Sequence, residues 1–113
     1  MTKAISFTIL VTAALFLGSA SFAAEAAKPS IELGKKLFSD TSLGTNGRTC
    51  SACHPSEKDI AGLANKKAWF GGSAKTLEQA INICIKGPLE GKPLPEDSVQ
   101  VKSIAMYMRS LVK

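Results

Sequence analysis

The chain is poor in the side chains that most often do chemistry. It has 113 residues but only one histidine, His54, and a single tryptophan and tyrosine. A lone imidazole excludes bis-histidine metal ligation. Ser51 shows no nucleophile arrangement if that one imidazole is occupied, and no paired carboxylates suggest general acid–base work. No alternating apolar pattern marks a strand, and no internal repeat is present. No dense basic run is interleaved with aromatics, so a nucleic-acid partner is not expected. Beyond residue 23 there is no long apolar run. The three cysteines are an odd number, and Cys50 and Cys53 lie too close in sequence to brace a fold.

The first residues read as an export signal. Lys3 is followed by "AISFTILVTAALFLGSA", and Ser21 and Ala23 supply a small-x-small exit. A basic start, an apolar core and small residues at the end describe a secretory signal peptide over 1–23, cleaved after Ala23. The rival is a retained anchor, for which the apolar part is short against the roughly 20 residues of a span. Export places the mature protein in a bacterial periplasm, with no stable membrane span after cleavage. Residues 24–29 form a flexible lead-in, and 30–113 form one domain. Without Lys3, 13 basic residues face 9 acidic ones. These charges are scattered, as on a solvated surface. The functional alternative is a basic rim, including Lys66, Lys67, Lys75 and Lys92, that docks acidic faces of partner proteins. A domain of this size has a marginal core and often needs a disulfide, a metal or a cofactor.

The patterning predicts an all-α domain of three or four helices. "SIELGKKLFSD" is a helix capped by Ser30, with Ile31, Gly34, Leu37 and Phe38 on one face. "TSLGTNGRT" is a loop, and Cys50 to His54 form a short helical turn stopped by Pro55. Residues 56–75 show no clean period, and Gly71-Gly72 suggests a tight bend. "TLEQAINICIKG" is a helix with Thr76 and Gln79 as a capping box and a stripe of Leu77, Ala80, Ile81, Cys84 and Ile85. Gly87 and Pro88 end it. "PLEGKPLPED" is a loop with three prolines. "SVQVKSIAMYMRSLVK" is the last helix, with Val101, Ile104, Ala105, Met108 and Val112 inward and Met106 nearly opposite.

Chemistry concentrates in "CSACH", residues 50–54. Cys-x-x-Cys-His is the attachment motif for c-type haem. Two thiols one helical turn apart match the two vinyl groups at a porphyrin edge, and the next residue, His54, reaches the iron. A redox dithiol would want a βαβ context, which is absent. A zinc site would take Cys50, Cys53, His54 and Cys84, but adjacent Cys53 and His54 rarely converge on one tetrahedral ion.

With these residues the chain resembles class I c-type cytochromes over about 30–112. "GKKLF", with Gly34 and Phe38, is similar to the first-helix pattern of that family, and "IAMYMRSL" to its last helix, where an aromatic such as Tyr107 is usual. The resemblance implies a small fold wrapped around one covalently bound haem c. Cys50 and Cys53 would be thioether residues and His54 the proximal iron ligand. The terminal helices would cross, with Gly34 permitting close contact. The family's distal methionine is missing from its usual loop, where Leu94 precedes Pro95.

Three distal arrangements stay open. Cys84 is one, because "INICIKGPLEGKPLPEDS" resembles the cysteine-ligating segment of thiosulfate dehydrogenases and related sulfur-oxidising cytochromes. Met106 is the second, and a weak ligand such as Asn82 or an open position the third. Trp69 would pack on the haem, bond a propionate, or serve as ordinary core. No catalytic residue is expected. The reading is a soluble monohaem carrier of single electrons between redox proteins. The alternative is a haem subunit of a sulfur-compound-oxidising enzyme with cysteine-ligated iron. An open or labile distal position would instead favour a ligand-binding haem protein.

Overall fold

The structure is a computed structural model that describes residues 28–113; the expected signal peptide and most of the lead-in lie outside the described residues. Five α-helices follow in order: α1 (Ile31–Phe38), α2 (Cys50–Cys53), α3 (Glu57–Ala64), α4 (Leu77–Lys86) and α5 (Val99–Ser110). Short 3₁₀ turns occupy Thr41–Leu43 and Phe70–Gly72. Among the described residues there is no strand, only an isolated antiparallel bridge between Trp69 and Ala74. None of the described helices is long and apolar enough to cross a membrane.

Each helix begins where a side chain can satisfy its free N–H groups. Ser30, Thr49, Ser56, Thr76 and Ser98 accept from the backbone N–H of Leu33, Ala52, Asp59, Gln79 and Val101. Helix α3 was not foreseen, because only Ile60 is deeply buried along it. The Thr76 cap holds, but Gln79 Oε1 accepts from Lys75 N–H rather than closing the box on Thr76.

Helix α5 packs on α1, α3 and α4, most extensively on α1. The α1–α5 crossing is set by Gly34. A Cβ there would lie 1.9 Å from the Ser103 carbonyl oxygen, so only glycine allows this approach. Ser103 is fully buried, and its Oγ accepts from Ser30 N–H at 3.1 Å. Phe38 and Tyr107 meet edge to face at 5.5 Å beside the crossing. Two expected core residues do not belong there. Ile31 is exposed at the first position of α1, and Val112 lies beyond the end of α5, also exposed.

The loop after α4 is stitched to the loop before α2. Thr45 N–H donates to Leu89 O, Thr45 Oγ1 to Glu90 O, and Asn46 Nδ2 to Pro88 O. Asn82 on α4 clamps the following turn with two bonds to the Leu94 backbone, at 2.7 and 2.9 Å. These ties hold the two loops against the helices and leave a concavity between α2, α4 and α5.

Candidate functional site

That concavity is a cavity of about 310 Å³. Cys50, Cys53 and His54 line it from α2 and its end, and Cys84 lines it from α4. Apolar residues close the rest: Phe38 from α1, Leu63 from α3, Leu77 and Ile81 from α4, Ile104 and Met108 from α5. The Cys-x-x-Cys-His segment therefore opens onto an apolar chamber built by every helix of the fold.

The short α2 turn positions its residues by local bonds. Thr49 caps it, and His54 N–H donates to Cys50 O at 3.0 Å, so the histidine follows immediately after one helical turn. The His54 ring is held by Asp59, whose Oδ2 lies 2.7 Å from Nδ1. A carboxylate oxygen only accepts, so the contact puts a proton on Nδ1, and in the neutral ring Nε2 keeps its lone pair.

The three cysteines are free thiols. Burial pushes the Cys50 thiol up to about 11, and the neighbouring Cys84 charge adds to the rise. Cys84 is raised too, by burial first and then by Cys53. All three cysteines line the same cavity. Among the described residues no group of three or more histidine, cysteine or acidic side chains is gathered to hold a bare metal ion. The Cys₃His zinc set is thus not assembled, and the redox-dithiol reading lacks its strands.

The other sequence candidates separate clearly. Met106 is 38% exposed and does not line the cavity, so the position opposite the apolar stripe of α5 is the solvent side. Of the two arrangements left open for Met106, a partly exposed side chain and a distal ligand, the structure has the exposed one. Met108, read as core, is buried and lines the cavity. The side-chain amide of Asn82 is spent on Leu94. Trp69 lines the cavity, with its indole N–H donating to Leu63 O at 2.8 Å; it is packed and already bonded. Asp59 was missed. Its signal was the Ser56-x-x-Asp59 helix start just after the histidine. Phe70 was missed as well. It lines the cavity yet is 51% exposed, in a left-handed conformation (φ 53°) before Gly71 and Gly72.

No known family profile, curated protein or solved structure matches the chain.

Proposed function

We propose that this chain is an exported monohaem c-type cytochrome that carries single electrons between redox proteins. One observation carries the reading: the Cys-x-x-Cys-His motif lines an apolar cavity, with the histidine's Nδ1 already engaged and Nε2 free. The donor set and lining fit haem c. Cys50 and Cys53 would hold it as thioethers, and His54 would bind iron through Nε2. When bound, the group supplies one-electron cycling between ferric and ferrous iron. The chain supplies the rest. Phe38, Leu77, Ile81 and Ile104 exclude water, which limits reorganisation around a changing charge. Exposed Phe70 and Lys66 line the cavity and would offer a basic, partly apolar edge to an acidic partner.

The test is expression with haem-attachment machinery. The wild type should show a covalent haem by mass and by its pyridine haemochrome spectrum, and Cys50→Ser/Cys53→Ser should show none. A wild type that matures without haem sinks the proposal.

Cys84 favours a second reading, because it lines the same cavity while Met106 does not. As the distal ligand it would be an anionic thiolate that stabilises ferric iron and lowers the potential, within the roughly 0.8 V that axial ligands span. Burial disfavours its free thiolate, a penalty that a bound cation relieves. Such a centre would suit a subunit that oxidises sulfur compounds with a partner cytochrome. Electron paramagnetic resonance of the ferric protein decides between ligands. A thiolate-type low-spin signal lost in Cys84→Ala supports thiolate ligation, and turnover with thiosulfate then separates enzyme subunit from carrier.

A further inference from the structure

Asp59 stands outside the motif but touches its histidine. Three local features bring it there. Pro55 follows His54 and ends the α2 turn. Ser56 then caps α3, its Oγ accepting from Asp59 N–H at 3.1 Å. Asp59 is the third residue of that helix, and its carboxylate reaches back across the turn to His54 Nδ1 at 2.7 Å. Lys58 and Lys66 share a surface depression with Asp59. Neither forms an ion pair with it. Among the described residues the one ion pair of a lysine or arginine is Arg109–Glu78, and the close partner of Asp59 is the His54 ring. The Asp59 charge is therefore committed to the imidazole.

We propose that Asp59 is a positioning residue that sets both the donor nitrogen of His54 and the reduction potential of the bound haem. The inference rests on the haem reading above. Accepting from Nδ1–H fixes the tautomer and the ring plane, and presents Nε2 as the ligand. It also gives the ring partial imidazolate character, which makes Nε2 a stronger donor and stabilises ferric iron over ferrous. The pair is half-exposed, so water screens it and the effect belongs at the low end of the range for such partners. Partners of this kind change metal affinity or activity about 10–100-fold; taken at the low end as a tenfold shift toward ferric iron, the effect reads as about 59 mV for one electron.

The competing explanation is that Asp59 only stabilises the start of α3. Glu57 controls for this, being another acidic residue in the same first turn. The experiment is spectroelectrochemical titration of the purified holoprotein at one pH and ionic strength, beside Asp59→Asn, Asp59→Ala and Glu57→Gln. It is paired with nuclear magnetic resonance of the His54 Nδ1 proton. The expected result is a midpoint raised about tenfold-equivalent in Asp59→Ala. Asp59→Asn, whose amide oxygen still accepts, should rise less, and Glu57→Gln should stay at wild type. The Nδ1 proton should exchange fastest in Asp59→Ala. If Asp59→Ala is not loaded, Asp59→Asn carries the test. Midpoints within twofold of wild type in the Asp59 variants, or an equal shift in Glu57→Gln, overturn the proposal while the haem reading stands. A wild type without covalent haem overturns both.

Discussion

Met106 and Met108 are two residues apart on α5 and differ completely in surroundings. A helix turns about 100° per residue, so two positions separate them by more than half a turn. Met108 is 6% exposed, in the wall of the cavity; Met106 is on the solvent side. Met106→Ala should therefore leave the visible spectrum unchanged and move stability by no more than about 0.5 kcal/mol. Met108→Ala should cost about 2–5 kcal/mol, because it empties packed volume beside Ile104 and Phe38. Denaturant unfolding of the two variants checks this. If the protein carries the proposed haem, a spectral change confined to Met106→Ala would make that residue its ligand and refute the placement. The same residue-scale contrast shows what sequence could reveal. Periodicity separated the two methionines correctly, but it could not say which side of α5 the cavity takes, because that depends on where α2 and α4 sit.

At the scale of elements, two contacts fix how α5 lies on its neighbours. The first is the absent Cβ of Gly34. Gly34→Ala would drive a methyl into the Ser103 carbonyl and Tyr107 Cβ. The helices must separate, which also stretches the Ser30–Ser103 bond, at a cost of about 1–3 kcal/mol. A lower urea midpoint with an unchanged slope is the expected signature. The second is the two-pronged pair of Arg109 on Glu78, at 2.8 and 3.0 Å, which joins the end of α5 to the start of α4. The Arg109 hydrogen bonds hold the Glu78 carboxyl below its ordinary 4.5. A carboxyl lowered in the folded state stabilises fully above 4.5 and loses that contribution as pH falls through its folded value. Glu78→Gln should thus cost about 0.2–1 kcal/mol at pH 7, and the gap to wild type should close below pH 4.5. Unfolding midpoints at a series of pH values measure that gap. Helices α1, α4 and α5 were legible because each carries a cap and an apolar stripe. Helix α3 was not, since it sits half on the surface and its only strong signal is the Ser56 start.

For the whole molecule, the motif marked one wall of the site, and the rest came from residues that no local pattern connects. Phe38, Ile81, Ile104 and Met108 meet there from three helices, while Gly34 lets α1 approach α5, and Gly44 and Gly91 let the loops before α2 and after α4 approach each other. The core built by these contacts encloses a chamber of about 310 Å³. The chamber is partly open, so its apolar lining faces water unless something covers it. Small domains have only about 5–15 kcal/mol in total. An apolar wall left wet weighs against a core this small. A prosthetic group that fills it would act as the missing centre of the core as well as the redox unit. The double variant Cys50→Ser/Cys53→Ser, matured in the same cells, should give a broad, early thermal transition and weaker helical circular dichroism than the loaded wild type. A sharp transition within about 1 kcal/mol of wild type would mean that the helices, the glycine contacts and the loop stitching suffice by themselves, and that the cavity is a binding site the fold does not depend on.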